Sequence, residues 1–303
     1  MSARLLEGIR VPQPASRIPP PQAAAVGYNC LTWDTVVFGS NTGPWYSFNL
    51  LSKTPTGSEG VNQANGSMYI SGIAGDQFGA SVCSAYSTGV GSNWKGKIFS
   101  GGFYVEVALS IPGTLSGTPG QLPFPAVWCD DIDFLTQNSA NLQWPGQAAG
   151  YLHWIEYDFF QWAQDTDLYW GAADIIDWIG NPATSYAQPT NSETHLGSAT
   201  FPNENSYGSL WVPATPSSNG YKLDFLNNVR LLPAAGTPAV TTWAYWNPSS
   251  PFTPAQCISG APYQGSFIDQ CHFALIMGTS TLNPMTVYSL RVWQASEANN
   301  IVQ

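Results

Sequence analysis

The chain has 303 residues, in which nine Lys and Arg stand against nineteen Asp and Glu for a formal charge of −10. A field of that sign repels a phosphate backbone, which argues against nucleic acid as a partner. Only 9% of residues are charged, while thirteen Trp, fourteen Tyr and fourteen Phe accompany 29 Gly and 24 Pro. This is the composition of short aromatic strands joined by turns rather than of amphipathic helices. All-β sandwiches of about 200–250 residues commonly form one unit, so one large β domain with an arm and a tail is expected.

In chain order, residues 1–27 form a Pro-rich arm in which "PPPQ" at 19–22 favours an extended, polyproline-like conformation. Glu7, Arg4 and Arg10 fall where a signal peptide would have its apolar core, so no signal peptide is recognisable. An ordered arm of this kind needs a surface to lie against; a neighbouring copy or another assembly subunit is the expected one, its own domain the alternative. Residues 28–294 are expected to be the β domain. Strand candidates are 97–111, 124–129, 151–162, 220–232, 271–278 and 285–294, each alternating or continuously apolar and each closed by Gly, Pro, Asn or Ser. Residues 295–303 read as a polar tail. No apolar run reaches the roughly 18 residues of a membrane span.

Several smaller features invite chemistry. The five cysteines, Cys30, Cys83, Cys129, Cys257 and Cys271, form no CxxC pair, so buried free thiols are expected, with a Cys257–Cys271 bridge as the alternative. "CDDIDF" groups Asp130, Asp131 and Asp133, oxygen ligands of the kind calcium accepts, but without the Gly-turn spacing of a known loop. A solvated turn is the preferred reading there, so no cofactor is expected and calcium is the alternative. "GAADIIDWIG" holds Asp174 and Asp177 three apart and reads as a loop or short helix. Trp128, Trp154 and Trp162 are the candidate sugar-stacking rings, against the ordinary reading of aromatics as core.

Taken in order, five segments carry a resemblance. "SGGFYVEVALSIPG", "FPAVW", "WIEYDFFQW", "YGSLWVPATPSSNGYKLDFLNNVR" and "VYSLRVWQ" run from about residue 97 to 294. Together they resemble the laminarinase-like β-glucanases of glycoside hydrolase family 16, whose fold belongs with the concanavalin A-like jelly rolls and legume lectins. The resemblance implies an all-β, two-sheet antiparallel jelly-roll β-sandwich and a carbohydrate polymer as partner. It also implies roles in "WIEYDFFQW", which is similar to the family's Glu-x-Asp-x-(x)-Glu strand: Glu156 at the nucleophile position, Asp158 orienting it, and Gln161 where the acid/base glutamate would stand.

Physical chemistry makes that last position decisive. Side chains two apart on a strand share a face, so Glu156, Asp158 and Phe160 would point one way. A single bulge after Asp158 would bring Gln161 to that face instead of Phe160. A retaining glycosidase needs two carboxyl groups about 5–5.5 Å apart. An amide has no proton to give a leaving oxygen, and general acid–base help is worth about 10²–10⁴ in rate. His153, at an odd offset from Glu156, falls on the other face. The favoured expectation is therefore a catalytically impaired module that recognises glycan or builds a larger assembly, such as a virion surface, tail fibre or extracellular filament. An active endo-β-glycosidase with Glu156 as nucleophile, drawing its acid from Asp131 or Asp165, is the alternative.

Overall fold

A computed structural model describes residues 18–36, 45–48, 61–64, 67–71, 80–87, 94–111, 125–131, 152–162, 170–179, 186–194, 202–231, 241–245, 269, 272–279, 284–296 and 300–302. One helical turn, α1 (Pro21–Ala24), precedes a succession of strands. These are β1 (Cys30–Val36), β2 (Tyr46–Phe48), β3 (Val61–Ala64), β4 (Ser67–Ile70), β5 (Ala80–Cys83), β6 (Ala85–Ser87), β7 (Trp94–Phe99) and β8 (Phe103–Ser110). There follow β9 (Ala126–Asp131), β10 (Leu152–Trp162), β11 (Trp170–Ile179), β12 (Tyr186–Thr194), β13 (Asn205–Val212), β14 (Gly220–Leu226) and β15 (Val229–Arg230). The last are β16 (Thr241–Trp243), β17 (Phe273–Thr279), β18 (Met285–Gln294) and β19 (Asn300–Val302).

Every strand pair among them is antiparallel, and they build two sheets. The first runs β15-β14-β13-β8-β18-β4-β3, with β1 also on β18 and β16 on β14. The second runs β12-β11-β10-β9-β17-β5-β2, with β7 joined to β17, β6 and β19. This is the two-sheet antiparallel jelly-roll sandwich expected from the sequence.

The sheets stack because their strands carry apolar residues at alternate positions. On β8, Phe103, Val105, Val107 and Leu109 enter the central core; on β17, Phe273, Leu275 and Met277 meet them from the other sheet, while Ala274 and Ile276 belong to a cluster on the reverse face. Aromatic rings knit the middle: Phe103 meets Trp211 edge-on at 5.2 Å between centroids, and Trp211 meets Phe273 at 5.1 Å. On β18 the inward set changes parity between Val287 and Leu290, and the pairing with β8 shifts at the same place, between Val287 and Ser289.

Most expected strands stand where the pattern put them, with four corrections. The stretch 97–111 is broken into β7 and β8, because Gly101 and Gly102 adopt φ of 69° and 86°, a conformation that ends a strand. Within the expected strand 220–232, residues 220–230 are a hairpin, β14 to β15, turning through Asn227 and Asn228 at φ of 50° and 65°. Residues 170–179 are strand β11 rather than a loop or short helix. Residues 300–302, within the polar tail, add β19 to the edge of β7.

Of the arm, residues 1–17 lie outside the described residues, while Gln22 and Ala23, with Tyr28 just beyond, pack on the chain's own first sheet. Pro21 opens α1 at a position where its missing N–H costs nothing. Ala23 is fully buried in a cluster with Tyr28, Tyr104, Leu210, Phe225 and Trp293, on the face of the sheet away from the central core. Gln22 Nε2 donates to Tyr104 Oη at 2.7 Å, and Tyr28 Oη donates to the carbonyl of Trp211 at 2.9 Å. This part of the arm covers its own sheet, the alternative weighed against contact with a neighbour.

Gly102 is the pivot of that docking. A Cβ there would run into Tyr28 Oη and the ring of Pro213, and its φ is one that L side chains seldom adopt. Gly102→Ala is therefore expected to lower stability by about 2 kcal/mol or more, the sum of a left-handed penalty of about 1–2 kcal/mol and the displacement of Tyr28. Urea denaturation with an unchanged slope and a lower midpoint is the readout.

Candidate functional site

Strand β10 lies in the middle of the second sheet between β9 and β11, and its register is interrupted. Against β9 the pairs run Glu156 with Asp130, Tyr157 with Cys129 and Asp158 with Trp128, then jump to Phe160 with Val127 and Gln161 with Ala126. One residue is inserted between Asp158 and Phe160, and the pairing with β11 shifts between Tyr157 and Gln161. Burial records the same event independently. Tyr157, Phe159 and Phe160 all belong to the central core, so two consecutive phenylalanines point inward. A regular strand forbids that, and a bulge permits it.

The consequence is for the other face. Glu156 and Asp158 take the parity opposite to the core, and beyond the bulge position 161 takes that parity too, as conditionally expected from the sequence. For 152–155, 161 and 162 the description is of the backbone alone, so the side chains of His153, Trp154, Gln161 and Trp162 lie outside it. Asp165 also falls outside the described residues.

On β9 the neighbours of Glu156 are acidic and aromatic, while Ile175 pairs with it from β11. Asp130 sits directly across from it on β9, at a register position whose Cβ atoms are about 4.5–5.5 Å apart in such ladders. Trp128 sits across from Asp158 and donates its indole Nε1 hydrogen to Asp130 Oδ2 at 3.2 Å. Trp128 is only 8% exposed, so little of its ring is open for stacking, and its visible work is holding Asp130. Glu156 is half-buried and Asp158 is 4% exposed.

The expectation of a solvated turn at 129–134 is corrected here. Asp130 and Asp131 are fully buried at the end of strand β9, and Asp133 lies outside the described residues. Asp131 follows Val127 and Cys129 to the core side, opposite to Glu156, whereas Asp130 shares the face of Glu156. Among the described residues no group of three His, Cys, Asp or Glu could hold a metal ion. The sequence reading passed over Asp130 as a functional neighbour; its even offset from Trp128 within a strand-length run was the available signal.

Beneath this face lies a layer of rings. Tyr157 packs against Phe273 at 5.3 Å and against Trp211 and Trp243 at 6.3 Å each. A second missed feature enters this layer from the opposite sheet. Lys222 of β14, 3% exposed, sends Nζ to Asp224 Oδ2 at 3.1 Å, donates to the backbone carbonyl of Asp158 at 3.3 Å, and lies 5.8 Å from the centre of the Tyr157 ring. The thiols nearby are unreactive. Burial pushes Cys83 up to about 12, and burial and the Asp130 charge hold Cys129 well above the ordinary thiol range despite the counteracting charge of Lys222. Cys30, Cys83 and Cys129 are free; Cys257 and Cys271 lie outside the described residues.

Asp269 closes the layer. Its carboxylate accepts from the Trp243 indole at 3.1 Å and from the Ala214 amide at 2.9 Å, yet burial outweighs these donors and raises its pKa from 3.8 to about 7. A raised carboxyl pKa means that the native state holds the proton more tightly than the unfolded chain. The resulting stabilisation is complete below about pH 4 and is lost as pH rises through 7. Asp269→Asn is expected to flatten the fall in urea midpoint between pH 4 and pH 7, checked by denaturation across that range.

No protein-family model matches the chain and no curated protein matches it. Solved structures do. The laminarinase catalytic domain from Thermotoga maritima MSB8 is 13% identical over 88% of this chain and 98% of its own, with a TM-score of 0.49. The endo-1,3-β-glucanase from Streptomyces sioyaensis is 14% identical over 87% and 95%, with a TM-score of 0.49. The exoplasmic/lumenal domain of VIP36, in its Ca2+/Man3GlcNAc-bound form, is 8% identical over 87% and 88%, with a TM-score of 0.41. These are likenesses to the named domains, each at 14% identity or below.

Proposed function

We propose that this chain is a glucanase-like carbohydrate-recognition module in which hydrolysis is impaired. The observation that carries the reading is the bulge between Asp158 and Phe160, which gives Glu156, Asp158 and position 161 a common face. The half-buried carboxylate of Glu156 can accept hydrogen bonds from sugar hydroxyls, Asp158, buried beside it, is given the orienting role, and the amide of Gln161 can accept likewise without donating a proton to a leaving group. Trp154, which shares the parity of Glu156, is the proposed aromatic contact; Trp162 takes the core parity beyond the bulge and is set aside, and Trp128 acts by holding Asp130. No metal is required for this scheme.

In the same reading the module serves a larger extracellular or virion-associated assembly, with contacts to its own copies or to other subunits made through the arm preceding the sandwich. Its Pro-rich composition suits a segment that orders against a partner. Among the described residues no helix is long and apolar enough to cross a membrane.

One observation favours a second reading, an active retaining endo-β-glycosidase with Glu156 as nucleophile. Asp130 stands across the ladder from Glu156, so the face holds a further carboxyl group besides Asp158. Against it, Asp130 is fully buried, where a substrate oxygen has no access.

Release of reducing ends from β-glucans, galactans and agars separates the readings, with binding recorded on the same samples. The expected result is binding without release by the natural sequence, weakened at least tenfold in Glu156→Gln, with release appearing in Gln161→Glu. Turnover by the natural sequence that disappears in Glu156→Gln would establish the hydrolase instead. Absence of binding to every glycan would leave the assembly role, checked by the mass of the full chain in solution against that of a chain beginning at Ile18.

A further inference from the structure

A lysine in the middle of a β-sandwich core needs a reason. Lys222 and Asp224 are inward positions of β14, both buried, in a layer otherwise made of Tyr157, Trp211, Trp243 and Phe273. Two ions taken out of water are not repaid by their mutual attraction unless the geometry is excellent, and well-packed apolar residues would serve the core as well or better. The stability of the core therefore does not account for the pair.

Its placement does. Lys222 Nζ reaches across the gap between the sheets to the carbonyl of Asp158, the residue at which the β9–β10 ladder shifts register. A bulge shifts the ladder locally, and a charged donor on the carbonyl of the residue where the shift begins favours that backbone arrangement over a regular strand. Lys222 supplies a charge-assisted donor, Asp224 at 3.1 Å neutralises that charge, and the Tyr157 ring lies against it. The alternative state of β10 is a regular strand. It would frustrate the burial of both Phe159 and Phe160, and it would return position 160 rather than 161 to the face of Glu156.

We propose that the Lys222–Asp224 pair is a positioning device which, from inside the core, holds the bulge at 158–160 and so sets the spacing of Glu156, Asp158 and position 161 on the glycan-binding face. The inference rests on the carbohydrate reading only for that last consequence; the bulge itself can be tested without any sugar. Neither residue touches ligand, since both are sealed between the sheets.

The test is the double variant Lys222→Met/Asp224→Leu in the full chain, which removes both charges and keeps apolar volume, beside Lys222→Met alone. The expected double variant is folded, with a melting temperature equal to or above that of the parent. Amide hydrogen exchange at 158–161 is accelerated at least tenfold relative to β8, and affinity for the glycan bound by the parent falls at least tenfold. Lys222→Met alone, which takes the neighbouring cation from the buried Asp224, is expected to show the same local change together with a lower melting temperature. Unchanged exchange at 158–161 in a folded double variant would overturn the proposal, whatever happens to binding. So would a double variant that fails to fold, because the pair would then support the core at large. Should the parent bind no glycan, the carbohydrate reading fails while the exchange measurement still decides the role of the pair.

Discussion

Two adjacent phenylalanines, Phe159 and Phe160, are both buried between the sheets, and a strand whose side chains alternate can bury consecutive residues only by inserting one of them outside the ladder. That constraint organises the second sheet. It shifts β10 against both of its neighbours, bends the alternation once, and separates the stretch holding Glu156 and Asp158 from the one holding position 161. The two buried phenylalanines together contribute about 3–6 kcal/mol of transfer free energy, against about 0.5–1.5 kcal/mol for each ladder hydrogen bond that a bulge interrupts. The aromatic core therefore wins, and the outer face inherits its arrangement.

Polar groups inside the sandwich are located where that regularity fails. Lys222 and Asp224 meet the carbonyl at the bulge, and Asp269 gathers the Trp243 indole and the Ala214 amide where the chain leaves β13. In both places a charged or acidic side chain is hydrogen-bonded to a backbone group. The pattern is consistent with buried polar residues that specify a conformation rather than add stability. The same logic applies on the outer face, where Trp128, an attractive stacking ring in the sequence, uses its N–H to hold Asp130.

How much was legible follows from the range of each signal. Strands β8, β9, β10, β14, β17 and β18 were visible because their alternation is local. Strand β11 was not, since "GAADIIDWIG" has no clean alternation and its strand character comes from pairing with β10 and β12. The break at Gly101 and Gly102 was hidden inside one long apolar run, because a glycine's φ is chosen by what surrounds it, here Tyr28 and Pro213. Asp130 and Asp131 looked like a polar turn; burial on a strand made one of them a neighbour of Glu156 and sent the other to the core side.

By itself, then, the sequence determined the class of the fold, the strands of strongest alternation, and the chemical fact that position 161 carries an amide, which has no proton to give. These depend on residue type and on spacing within one segment. Only the tertiary structure decided that the bulge exists, that Asp130 faces Glu156, that Lys222 reaches Asp158 across 64 residues of chain, and that the end of the arm folds back on its own sheet. Those are pairings between distant segments, set by which apolar surfaces compete successfully for the same core, and no local pattern encodes the outcome of that competition.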